Sequence, residues 1–65
     1  MKVSYDAETD TLRIILRDIP VEESEEQKSG IVLDYDEKGE VIGIEVLQAS
    51  RRVENPRSVN SVNVA

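Results

Sequence analysis

The residues with the most chemical potential in this chain are carboxylates. Asp34, Asp36, Lys38, Gly39 and Glu45 fall on positions one, three, five, six and twelve of a calcium-loop pattern of the EF-hand type. Calcium wants hard oxygen ligands at that spacing. Lys38, however, puts a cation where a ligand oxygen belongs, and the flanking residues pattern as strands rather than helices. Asp6 and Asp36 occupy matching places in two similar segments. A pseudo-twofold could bring them together as a carboxylate pair able to shift pKa values or hold a divalent ion. The candidate metal ligands are therefore Asp6, Asp34, Asp36 and Glu45. The competing reading is that each turn carboxylate accepts backbone N–H groups of its own turn.

The chain has no His and no Cys. That excludes Ser-His-Asp and Cys-His catalysis and every zinc site built on those ligands. Gly30, Gly39 and Gly43 lack the spacing of a phosphate-binding loop. Carboxylate-pair hydrolysis would need a cleft, for which a chain of 65 residues has little volume. No catalytic residue and no cofactor is expected. A divalent-metal protein or metal-assisted enzyme using Asp6 and Asp36 remains as one alternative function.

The other conspicuous side chains are suited to contact rather than chemistry. Glu22, Glu23, Glu25 and Glu26 form an acidic run, and Arg51, Arg52 and Arg57 form a basic cluster. Residues 1–47 carry five basic and thirteen acidic side chains, net −8, while residues 48–65 carry three and one, net +2. Such a body disfavours nucleic acid and suits a basic partner, or the basic tail of a second copy. The candidate partner-binding residues are Glu22, Glu23, Glu25, Glu26, Arg51 and Arg52. Tyr5 and Tyr35 have acidic neighbours and read as packing residues with hydroxyls at the rim, not as a platform for bases.

These residues sit on a repeated scaffold. At an offset of thirty residues, Val3-Ser4-Tyr5-Asp6 lies over Leu33-Asp34-Tyr35-Asp36, Asp10 over Glu40, and Leu12, Ile14 and Leu16 over Ile42, Ile44 and Val46. Each copy alternates apolar and polar residues on both sides of a short polar link, which is the pattern of a β-hairpin. Gly39 supplies the positive φ of the second turn. Thr9 and Asp10 suit that conformation less, so a looser first turn is expected. Gly43, inside a strand, signals a bulge or a close backbone approach.

The expected fold is α+β, mostly β, in a single domain. A hairpin in 1–17 is followed by an acidic connection in 18–29, a second hairpin in 30–47, and a short helix and tail in 48–65. Strands are expected near 2–6, 11–17, 30–36 and 40–47. A short helix is expected near 49–54, capped by Ser50 and stopped by Asn55-Pro56, and a weak fifth edge strand near 58–64. The connection reads as extended and exposed, the alternative being an edge strand protected by charge. The core is expected to hold Val3, Tyr5, Leu12, Ile14, Leu16, Ile31, Leu33, Ile42, Ile44 and Val46. Ile15 and Val32 lie on the opposite face.

A domain this short buries only about 60% of the surface of its unfolded chain. With no Phe or Trp, and no Cys or His for disulfides or metals, the remaining means of support is association. A homo-dimer or larger assembly is expected. Met1-Lys2-Val3-Ser4-Tyr5-Asp6 does not resemble a signal peptide, and the longest apolar run, Ile14-Ile15-Leu16, is too short for a bilayer. The expected location is cytoplasmic, away from membranes.

The strings Ser4-Tyr5-Asp6 with Asp10, Leu12 and Ile14, then Gly30-Ile31-Val32-Leu33-Asp34-Tyr35-Asp36, Gly39, Val41-Ile42-Gly43-Ile44-Glu45-Val46-Leu47 and Ala49-Ser50-Arg51-Arg52 resemble a known family. It is the bacterial and archaeal domain-of-unknown-function family 2283. The acidic stretch Glu23-Ser24-Glu25-Glu26 is similar to that family's linker. The resemblance implies no catalytic residues. Because some members are similar to antitoxins found beside ribonuclease-like toxins, it implies a possible antitoxin role with a small basic partner. The functional expectation is a non-catalytic protein-binding module, with a structural homo-oligomer as a further alternative.

Overall fold

A computed structural model describes residues 1–59 and 62–63. The described chain is a single antiparallel sheet. Its strands are β1 (Lys2–Asp6), β2 (Thr11–Ile15), β3 (Glu23–Lys28), β4 (Ile31–Tyr35), β5 (Val41–Leu47) and a two-residue β6 (Val62–Asn63). The order across the sheet is β3-β4-β5-β2-β1-β6.

The repeat explains the centre of this order. β1 pairs with β2, β4 pairs with β5, and the long strand of each copy pairs with the other, β2 against β5. Within that central pair Ile14 faces Ile44, its own counterpart thirty residues on. A local twofold axis therefore passes through this pair, and Val3 facing Ile14 repeats as Leu33 facing Ile44. The symmetry ends at a bulge beside Tyr35, which faces Val41 where Ile42 would match the first copy.

Cross-strand partners share a face. Val3, Ile14, Ile44 and Leu33 thus form one aliphatic row, and Tyr5, Leu12, Val46 and Ile31 a second row beside it. The opposite face carries Ser4, Arg13, Gly43, Asp34 and Glu45, interspersed with Ile15, Val32 and Leu47. Its polar centre is where the candidate chemistry gathers.

The segment read as an acidic connection contains an additional strand, β3, exposed along its whole length. It pairs with β4 through its backbone, so it needs no apolar stripe, and its glutamates solvate the margin of the sheet. Before it, residues 16–22 cross the polar face. Ile19 and Val21 line a cavity of about 50 Å³ there with Arg13, Ile15, Asp34 and Gly43.

The C-terminal helix is a correction, and with it the α+β class: the described chain is a β-sheet with single 3-10 turns, at Ala49–Arg51 and Pro56–Ser58. Gln48 and Asn55 take left-handed φ values of 52° and 51°, reversing the chain on both sides of a segment too short to propagate a helix. Ser50 does not cap a helix but bonds Asp10. Of the expected fifth strand, Val62–Asn63 pairs with Lys2 and Val3 of β1; positions 60, 61 and 64 lie outside the described residues.

The core is smaller than expected. Among the described residues, the buried apolar side chains are Leu12, Ile42, Ala49 and Pro56. Val3, Tyr5, Ile14, Ile31, Leu33, Ile44 and Val46 are only half-buried, and Leu16 is 38% exposed. Every extensive contact between described elements joins neighbouring strands of the sheet. Domains ordinarily close an apolar sheet face with a second layer; the described strands all lie in the first.

Candidate functional site

Of the four candidate ligands, the fold brings two together. Asp34, on β4, faces Gly43, and Glu45, two residues on, projects from the same face of β5. Gly43 is the close approach its position suggested: a Cβ there would stand 2.9 Å from Asp34 Oδ2. The Asp34 side chain lies over the bare glycine backbone and is almost wholly buried, 4% exposed. Ser24 of β3 donates its hydroxyl to Asp34 Oδ1 at 2.6 Å. Arg13 of β2 stands 3.8 Å from Glu45 Oε2.

Two carboxyls in contact cannot both ionise cheaply. Burial, then the hydrogen bond to Asp34 and the Asp34 charge, push Glu45 up to about 7 against the lesser pull of Arg13. Burial also pushes Asp34 upward, but hydrogen bonds from Glu45 and Ser24, with the Arg13 charge, outweigh it, and Asp34 ends below the usual carboxylate range. Near neutrality Glu45 therefore keeps part of its proton beside an ionised Asp34. A carboxyl poised near 7 is the kind of group that general acid catalysis uses. Its partner Asp34 lines the cavity of about 50 Å³, far below the several hundred Å³ of ordinary ligand sites.

Asp6 and Asp36 do not meet. The antiparallel registers place them at opposite ends of the sheet. Asp36 Oδ1 accepts the N–H groups of Lys38 and Glu40 at 2.9 and 3.0 Å, and these bonds hold its carboxyl low. Asp6 Oδ1 accepts the Glu8 N–H at 2.9 Å. Both serve as turn carboxylates. No group of three or more potential metal ligands gathers among the described residues.

The acidic run divides. The Glu22 N–H bonds the Tyr35 carbonyl just before β3 begins. Glu23 and Glu25 face Tyr35 and Leu33 on the aliphatic side, and Glu26 faces Val32 on the polar side. Glu26 Oε2 also accepts the Gly30 N–H. Arg52 packs over Gly30 and donates to the Ser29 carbonyl, so it braces the β3–β4 turn of its own chain. Arg51 is exposed beside it.

Sequence reasoning missed Asp10 as a structural hub. It adopts φ 53°, accepts the Tyr5 hydroxyl at 2.6 Å, and takes both the N–H and the hydroxyl of Ser50 at 2.9 and 2.7 Å. The Ser50 bond and then the Tyr5 bond hold its carboxyl low, and the same contact raises the Tyr5 hydroxyl. These contacts fix the start of the C-terminal segment against the sheet, and Ala49 adds a backbone bond to the Asp10 carbonyl. The one available signal was the offset of Asp10 over Glu40; the Asp10 partner Ser50 lies forty residues away and could not be read from the pattern. Ser24 and Arg13 were missed for the same reason: they meet the carboxyl pair only through strand pairing.

No helix among the described residues is long and apolar enough to cross a membrane. No curated protein and no solved structure matches the chain. The family model described as protein of unknown function (DUF2283) matches residues 2–50, the span that holds β1 through β5 and stops at the Asp10 partner Ser50. A match over that share of the chain places this protein in the DUF2283 family.

Proposed function

We propose that this chain is a non-catalytic protein-binding module that works through its sheet. The observation that carries the reading is the aliphatic row Val3-Ile14-Ile44-Leu33, whose four side chains the chain itself leaves only half-buried. An apolar sheet face left open in water is a contact surface or an aggregation hazard. The titratable groups fit the same reading, since Asp6, Asp10, Asp36 and the Asp34–Glu45 pair are all engaged in holding strands and turns.

The antitoxin role implied by the family resemblance is the specific form of this proposal. In it, a small basic protein encoded beside the chain meets the acidic side of the sheet, and the setting is cytoplasmic. The test is an NMR titration of labelled chain with that purified neighbour, together with a rescue assay in cells. Saturable shifts, accompanied by rescue, are expected. A chain whose spectrum stays unchanged and which fails to protect cells from the neighbour's product would remove the antitoxin form.

A further inference from the structure

We propose that the open edge of β3 takes up an extended, basic segment of a partner protein as an added strand of the sheet. The proposal rests on the binding-module reading above and names the part of the partner that docks.

The two margins of the sheet are finished differently. At the β1 margin, β6 pairs with Lys2 and Val3, and Pro56, Arg57 and Ser58 lie beside Tyr5. At the other margin β3 ends the strand order, with β4 as its one neighbour among the described strands. An antiparallel strand offers its backbone groups alternately to either side. Half of the donors and acceptors of β3 therefore face outward, and no turn or loop among the described residues bonds them. All six residues of the strand are exposed. A bare row of this kind is a template for one more strand, the mode in which extended peptides join a sheet edge.

Edges usually carry guards against such pairing: shortness, proline, bulges, cover or charge. β3 has six residues against five in β1, β2 and β4, holds no proline, and bulges only near its end, between Glu26 and Lys28. Its guard is charge of one sign. Four of the five positions from 22 to 26 are glutamates. Glu23 and Glu25 stand on the aliphatic side and Glu26 on the polar side.

That guard selects the occupant. A second β3 laid antiparallel along the edge would set glutamate against glutamate, and like charges directly opposite are unfavourable. The same glutamates favour a strand with Lys or Arg at alternate positions, whose cations fall on one face, opposite Glu23 and Glu25. The edge thus rejects its own copy and admits a basic chain. The backbone supplies the pairing, and the carboxylates supply the choice.

An NMR titration of the labelled full chain with a short peptide alternating lysine and threonine tests this. Saturable shifts are expected along β3, with added exchange protection for its outward amides. The same peptide with every amide N-methylated should not bind, since it keeps its charge and loses its donors. Glu23→Lys with Glu25→Lys, both exposed positions, should weaken binding of the lysine peptide about tenfold as two cross-strand pairs change sign. That variant should instead take up a peptide alternating glutamate and threonine. Equal binding of the plain and N-methylated lysine peptides would mean attraction without strand pairing and would overturn the edge. A spectrum unmoved by the lysine peptide would overturn it as well. A chain that binds its purified neighbour through Val3, Ile14 and Ile44 with β3 unmoved would overturn the edge and leave the binding module standing.

Discussion

The two hairpins of the repeat, thirty residues apart, adopt the same paired strands but are secured in different ways. In the second copy the turn is self-contained: Asp36 takes the N–H groups of Lys38 and Glu40, and Gly39 supplies a φ of 80°. In the first copy Asp6 takes one N–H of its turn, from Glu8, and the turn gains a further anchor from outside: Asp10, at φ 53°, is bound by Tyr5 and by Ser50 forty residues away. The polar faces differ as well. Where the first copy has Ser4, Arg13 and Ile15, the second has Asp34, Gly43 and Glu45. A shared apolar pattern is enough to give both copies one backbone, while the polar residues decide which copy anchors the tail and which buries a carboxyl pair.

The sharpest way to break this contrast is at Gly43. Gly43→Ala puts a methyl group against the buried Asp34 carboxyl and should cost about 1–3 kcal/mol, in the range of an overpacked core. Asp34→Ser, which restores the Ser4 of the first copy, should make room. The double variant should then lose less than the two single losses combined, as neighbouring sites do; chemical denaturation measures all three. Arg13 occupies the equivalent position in the first copy with a full side chain, so Arg13→Ala should be mild by comparison.

Next in size is Asp10→Ala. It removes the acceptor of Tyr5 and Ser50 and leaves a left-handed residue without support. Hydrogen exchange at the Ser50 N–H should accelerate more than tenfold, while the Asp36 turn stays protected. Equal acceleration in both turns would erase the distinction between them.

The third is a pH effect near neutrality, seated in the second copy. Glu45 binds its proton more tightly folded than unfolded, so its contribution to stability is complete below its ordinary value near 4.5 and is lost as pH rises through about 7. Asp34 has the opposite sign: its contribution is present above its ordinary value and fades in stronger acid. Stability should therefore fall between pH 5 and pH 8, and Glu45→Gln, which keeps a donor toward Asp34, should flatten that slope. Carbon-detected NMR should place the Glu45 midpoint near 7. The smallest effect is Gly39→Ala, which nothing crowds but which places a side chain at positive φ, at a cost of about 1 kcal/mol.

Much of the sheet was legible in sequence because alternation and an ungapped repeat report strands directly. The aliphatic stripes, the Gly39 turn and the close approach at Gly43 all follow from local pattern. β3 was not legible as the preferred reading, since an edge strand exposed on both sides carries no apolar period, and its glutamates look the same in a solvated loop. The helix over 49–54 failed because nothing local revealed that Gln48 and Asn55 would turn left-handed or that Ser50 would be taken by Asp10. Of the candidate ligands, Asp34 and Glu45 do meet, through strand register, whereas Asp6 and Asp36 are parted by the antiparallel pairing that the repeat itself implies.

The account stands on one sheet needing cover for its aliphatic face, and a partner's effect on stability is the most direct probe of that need. A protein that binds the folded sheet and not the unfolded chain must raise the thermal midpoint as it is added. Thermal scans that follow the labelled chain, with the purified neighbour over a hundredfold range of concentration, should show the midpoint climbing steadily. A midpoint that does not move, with a single cooperative transition at every concentration, would contradict it.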